Sequence, residues 1–214
     1  MTKLIPGTIL QSNNYGYFRI ISDDGALSVR VEFEDTGYTA IVSRYRANNG
    51  EIKDVLRPSV YGVGFVGEGG YHQSVNGISV KAYDVWISML SRCYSEKAKH
   101  LNPSYFGCTV IDEWHNFQNY AKWHEINYKP GLHLDKDIKI PGNSVYGPNT
   151  CVFVTQKENN IKAAAKNYEL RSPLGVKHKI YNLSSFARDN DLYPGHLSAV
   201  YSGTRRHHKG WTKA

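Results

Sequence analysis

Apolar and polar positions along the first 70 residues repeat with a period of two. Leu27, Val29, Val31 and Phe33 alternate with Ser28, Arg30, Glu32 and Glu34, which predicts a strand with one buried face over 27–34. Gly16 to Ser22 (GYFRIIS) and Tyr38 to Ser43 (YTAIVS) are rich in β-branched and aromatic residues and predict two more strands. Asp23-Asp24-Gly25 and Asp35-Thr36-Gly37 separate them as turns. The expectation is a small barrel or curled sheet, followed by a glycine-rich edge strand and linker at Tyr61 to Gly70. That stretch contains GVGFVG, a loose match to GxGxxG. With no helix predicted after it and no βαβ unit around it, a dinucleotide site is excluded.

Beyond residue 78 the period becomes helical. Tyr83, Trp86, Ile87, Leu90 and Cys93/Tyr94 form one apolar stripe, and Trp114, Phe117, Tyr120, Ala121 and His124 predict a second helix, with core packing as the role of most of these aromatics. A short strand at Leu132 to Ile138, a glycine turn near Pro141-Gly142-Asn143 and a strand at Thr150 to Thr155 follow. A helix then runs from Gln156 through Asn160 and Ala163-Ala164-Ala165, which completes a ββα unit.

From residue 168 a hairpin is expected around Ser172-Pro173-Leu174-Gly175. Asn182 or Ser184 can cap a short helix holding Phe186 and Ala187, and Asn190-Asp191 breaks it. Pro194 and Gly195 lead into a second helix, His196 to Tyr201, which Gly203 ends. Two short helices around a tight turn, followed by Arg205-Arg206-His207-His208-Lys209, predict a helix-turn-helix with a basic exit.

Charge sharpens this picture. The net charge of +7 lies entirely in residues 162–214, which hold 10 Lys/Arg against 3 Asp/Glu, while residues 1–161 hold 16 of each. A basic excess confined to one end points to phosphates, hence to nucleic acid as partner. No apolar run reaches the roughly 18 residues of a membrane helix, and Met1 to Pro6 lack the apolar stretch of a signal peptide, so an intracellular, cytoplasmic protein without a membrane partner is expected. Three widely spaced cysteines, Cys93, Cys108 and Cys151, make no disulfide framework. Buried free thiols are the expectation, with a zinc site built from Cys93, Cys108 and a histidine as the alternative.

Several segments resemble a known family. Tyr83-Asp84-Val85-Trp86-Ile87-Ser88-Met89-Leu90-Ser91-Arg92-Cys93 is similar to the YxxWxxMxxRC opening of a phage-borne HNH endonuclease family. Trp114-His115-Asn116-Phe117, Leu134-Asp135-Lys136-Asp137-Ile138, the run from Asn143 to Thr155, and Glu158-Asn159-Asn160 match it in the same order. The segment from Ser172 to Trp211 resembles modular helix-turn-helix domains attached to homing and intron-associated nucleases.

Residues 1–70 belong to no segment of that resemblance, and with the strands read there the expectation is an α+β chain with a β-rich N-terminal domain (1–70), a ββα-metal-like HNH middle domain (78–167) and a C-terminal helix-turn-helix domain (168–214). The resemblance implies a metal-dependent DNA endonuclease of phage or mobile-element origin, acting in an infected host cell with Mg or Mn. Asp135 matches the metal carboxylate, and Asn160, or else Asn159, the helix ligand. The position of the general-base histidine is Lys136, and that of the orienting asparagine is Thr150, with Asn149 one place early. Strand alternation puts His133, Asp135 and Asp137 on one face, which makes His133 the candidate base and leaves Lys136 a phosphate contact. DNA is expected to meet His196, Ser198 and Tyr201 on the recognition helix and Arg205, Arg206 and Lys209 beyond it. The rival reading is a catalytically inactive DNA-binding regulator or interaction protein on the same scaffold.

Overall fold

Period-two patterning produces a four-stranded antiparallel meander of β1 (Ile9–Ser12), β2 (Gly16–Ser22), β3 (Ser28–Phe33) and β4 (Thr39–Ser43), in that spatial order. The computed structural model describes residues 3–23, 25, 27–140, 142–164 and 167–214. Asp24 of the first expected turn, Pro141 of the glycine turn and Ala165 of the helix after it lie outside them. Phe18, Ile20, Val29, Val31 and Phe33 fill one face of the meander, and Ala47 and Ile52 pack on it. The sheet is open and curled rather than closed, with a register shift between Ile20 and Ser22 that increases local twist. Leu27 corrects the expected alternation: it has φ 67 and is exposed, so the strand begins one residue later.

A buried carboxylate ties this sheet together. Asp23 accepts from Arg44 Nε at 2.9 Å and Nη2 at 2.5 Å, and from the amides of Leu4 at 2.7 Å and Gly25 at 3.1 Å. Hydrogen bonding from Arg44 holds the Asp23 carboxyl well below the usual carboxylate range. Arg44 opens the short helix α1 (Arg44–Asn48), so one ion pair fixes the end of β2 to the start of α1.

The glycine-rich stretch is neither an edge strand nor a linker. It packs on two of the helices that follow β5 (Ser74–Val75) and β6 (Ile78–Ser79), namely α2 (Lys81–Tyr94) and, after α3 (Glu96–Leu101) and β7 (Thr109–Val110), α4 (Phe117–Asn127). A Cβ on Gly64 would lie 2.4 Å from Leu90 Cδ1 and 3.0 Å from the Trp86 ring, so only glycine lets the backbone reach the indole. Buried Gln118 stitches the stretch to α4: its Nε2 donates to Val66 O and Tyr71 O, and its Oε1 accepts from Tyr71 N. Trp86, Met89, Leu90 and Cys93 are the buried face of α2, so Met89 takes the place expected of Ile87. The Trp86 indole N–H donates to Trp114 O at 2.7 Å. Trp114 sits in a 3₁₀ turn over Asp112–His115, ahead of α4, whose Asn116 cap accepts from Gln118 N.

Strands β8 (His133–Asp135), β9 (Val145–Tyr146) and β10 (Val152–Val154) follow, then α5 (Gln156–Ala164). β8 pairs with β10, and β9 pairs in parallel with β7. Thr155 and Glu158 form a reciprocal capping box at the start of α5. The remainder is β11 (Tyr168–Arg171), β12 (Lys177–Ile180), α6 (Leu183–Asp189), α7 (Pro194–Ser202) and β13 (Thr212–Lys213), with β11 central in a three-stranded sheet. Leu170, Ile180, Leu183, Ala187, Leu197, Val200 and Trp211 are its core. Asn182 caps α6, and Gly203, at φ 84, ends α7.

Secondary structure is thus mixed α and β, compatible with an α+β class. Contacts divide the chain into two units, Met1–Pro130 with Leu134–Phe153, and Gly131–His133 with Val154–Ala214. The division falls at Phe153/Val154, inside the segment 78–167, and the 1–70 sheet shares a unit with α2–α4. Gly64→Ala should cost about 1–3 kcal/mol in urea unfolding through overpacking. Gly70→Ala, where a Cβ meets nothing within 4 Å, should be near neutral.

Candidate functional site

Burial alternates through the first hairpin strand: His133 is exposed, Leu134 buried, Asp135 half-buried, Lys136 buried and Asp137 half-buried. Asp135 Oδ1 accepts from the amides of Asp137 and Ile138, both at 2.7 Å, so the carboxylate caps the turn that ends β8. Lys136 points inward. Its Nζ donates to Asp137 Oδ1 at 2.8 Å and to Asn143 O at 2.6 Å, and lies 5.9 Å from the centre of the Tyr146 ring. Burial lowers its pKa, but contact with Asp137 and Cys108 outweighs that and raises it, so this lysine stays charged at neutral pH. The ammonium is thus held inside the turn, whereas the phosphate contact expected of it would need it exposed.

Asn143, which the sequence marked only as part of a turn, completes this arrangement. Its Nδ2 donates back to Lys136 O at 2.9 Å and to Val145 O at 2.6 Å. Thr150, at the position of the orienting asparagine, donates to Val145 O at 2.7 Å, and Asn149 is exposed. The closing of 136–145 was signalled by Asn143 beside Gly142, but its target was not.

Asn160 lies on α5, in the second unit, and its Oδ1 accepts from Gln156 Nε2 at 2.7 Å. Asp135 belongs to the first unit and His133 to the second. Among the described residues no three His, Cys, Asp or Glu side chains gather in a way that could hold a metal ion. Asp135 Oδ1 accepts from two amides and Asn160 Oδ1 from a glutamine. The cysteines are free and buried. Burial pushes the Cys93 thiol up to about 12 and Cys151 to about 11, so both stay protonated and poor ligands.

In the second unit α6 and α7 are joined by residues 190–193, with Asp191 at φ 54. Leu197 and Val200 turn into the core, Ser198 is exposed, and Tyr201, one turn after Leu197, is exposed at the margin of that core, where it packs edge-on against Tyr168 at 4.9 Å. Arg205 and Arg206 are exposed, and Arg205 Nε donates to His207 O. Two expected DNA contacts are engaged elsewhere. His196 is half-buried between Tyr193 (4.7 Å) and His208 (4.9 Å), with its Nδ1 buried and without a partner among the described residues. Lys209 Nζ donates to Asp191 O at 2.7 Å and Oδ2 at 3.1 Å.

Comparison with protein-family models and with curated proteins finds no match. Among solved structures there is a weak likeness to the HNH homing endonuclease I-HmuI, described in a study of its DNA binding and cleavage. The two are 25% identical over 40% of this chain and 59% of that one, with a TM-score of 0.23. The chain therefore spans less than two thirds of that neighbour, and the superposition at this score carries no argument about a shared fold. No helix among the described residues is long and apolar enough to cross a membrane.

Replacing Lys136 by Ala should lower stability in urea by about 1–3 kcal/mol, the cost of leaving buried acceptors unpaired. A loss below a few tenths of a kcal/mol would mean that the ammonium is not holding the turn.

Proposed function

We propose that the protein binds double-stranded DNA through its C-terminal unit, on a scaffold derived from HNH-type nucleases. The observation that carries this is the surface beside α7. Ser198 and Tyr201 are exposed on a helix that Leu197 and Val200 lock into a core, Tyr201 at the margin of that core, and Arg205 and Arg206 stand exposed just beyond its end. A rigid helix with polar side chains outward and guanidinium groups flanking it suits a groove and its phosphates, in the manner of a helix-turn-helix. The charge excess of residues 162–214 supports the same reading.

A second reading, metal-dependent cleavage of that DNA, is favoured by one feature: the exposed His133 and half-buried Asp135 alternate with the inward Leu134 and Lys136. Against it stand the buried lysine at the base position and the engaged donor atoms.

One purified sample tests both. Gel shift and salt titration of the full chain should show binding, and Arg205→Ala with Arg206→Ala should weaken it across all sequences. The salt slope should become shallower by about 2, for two phosphates. An unchanged slope would overturn the assignment of those arginines. Plasmid incubated with Mg or Mn should remain intact. Nicking that EDTA and Asp135→Ala both abolish, and that His133→Ala slows by roughly 10²–10⁴-fold, would establish the nuclease instead.

A further inference from the structure

Two residues of the basic exit after α7, His208 and Lys209, have a defined hydrogen-bond geometry. Tyr193 N donates to His208 Nε2 at 3.1 Å. A backbone N–H only donates, so Nε2 carries a lone pair and the proton of the neutral ring sits on Nδ1. Tyr193 is the N-cap of α7 and has no side-chain cap bond. One residue further, Lys209 Nζ holds Asp191 O and Oδ2 in the turn between α6 and α7. The segment that supplies both groups is itself anchored. His208 and Trp211 exchange backbone hydrogen bonds at 3.0 and 2.9 Å, and Trp211 is buried in the same core as Leu197 and Val200.

We propose that His208 and Lys209 are positioning residues, forming a clasp that sets how α7 is presented, and that protonation of His208 opens its upper half. A proton on Nε2 removes the acceptor for Tyr193 N and places a cation at the N-terminal end of a helix, where the dipole opposes it. The groups around the ring are His196 from α7, Tyr193 and Asp191 from the turn, and Arg205, His207 and Lys209 from its own segment; of these Asp191 is committed to Lys209. Burial, followed by the cationic neighbours, holds His208 below its ordinary value of 6.5. The closed clasp therefore takes up fewer protons than the open one. Its contribution is complete above the ordinary histidine value and declines as pH falls through that value toward the depressed one.

The proposal deepens the DNA-binding reading at the same surface, but its test needs no DNA. In the full-length, ¹⁵N-labelled protein, His208 should show an unprotonated Nε2 at neutral pH. Exchange of the Tyr193 amide, corrected for intrinsic pH dependence, should rise roughly five- to tenfold on acidification, the worth of one hydrogen bond. His208→Gln keeps an acceptor that does not titrate, and should keep the amide protected with a flat pH profile. His208→Phe should lose protection at every pH. An Nε2–H tautomer in the native protein, or a pH-dependent profile retained in His208→Gln, would overturn the proposal. Affinity for a short random-sequence duplex is measured in parallel but is not the readout, because the same proton adds a charge that attracts phosphate. Absence of binding at any pH would overturn the DNA-binding reading and leave the clasp to be judged by the imidazole shifts and exchange.

Discussion

An ammonium group inside a protein must be satisfied before its surroundings can pack, and residues 133–151 are arranged around that requirement. Lys136 is only 8% exposed, so the chain has to bring acceptors to it. Asp137 supplies a carboxylate, Asn143 a carbonyl, and the face of Tyr146 closes a further side. Asn143 can reach Lys136 only if the chain doubles back, and its own amide then fastens the two arms of the turn. That return delivers Val145 and Tyr146 to their parallel pairing with β7. The lysine thus organises the hairpin from within, while His133 is left exposed and Asp135 half-buried on alternate positions.

Much of the fold was legible where one face meets one core. Val29, Val31 and Phe33 alternate with polar residues and are buried as the pattern requires, and the α2 and α4 stripes lie inward apart from the exchange of Ile87 for Met89. Legibility fails where a conformation is set by something distant in sequence. Leu27 fits the alternation perfectly and is nonetheless outside the strand, with a positive φ that the pattern does not register. The glycine-rich stretch has the composition of a linker, yet Gly64 and Gly69 are glycines because Leu90 and Gln118 leave no room for a Cβ. β7 and β9 have two residues each and pair in parallel across some 35 positions, too little pattern for any periodicity to register.

The candidate site divides in the same manner. Counting charges drew attention to the C-terminal end, where Arg205 and Arg206 are exposed, but a count treats every cation alike. Lys209 and the imidazoles of His196 and His208 lie in the same short region, and their hydrogen bonds and ring contacts direct them at the protein itself. The distinction depends on Asp191, whose left-handed backbone brings its carbonyl and carboxylate together toward one ammonium. Sequence marked Asp191 as a helix breaker and said nothing of what it would hold.

The placement of the indoles gives the molecule a built-in optical label for each unit. Trp86, Trp114 and Trp123 belong to the first unit, with the Trp114 and Trp123 rings 4.8 Å apart at 53°, close enough for their electronic transitions to couple. Trp211 alone reports on the second, with His178 at 5.0 Å and Phe186 at 5.2 Å against its ring. Emission from that one chromophore therefore follows the interior of the C-terminal unit, and the near-ultraviolet dichroism of the coupled pair follows the other. Because all four indoles emit together, the order in which the two interiors are lost on heating can be read by comparing the unmodified chain with a Trp211→Phe variant.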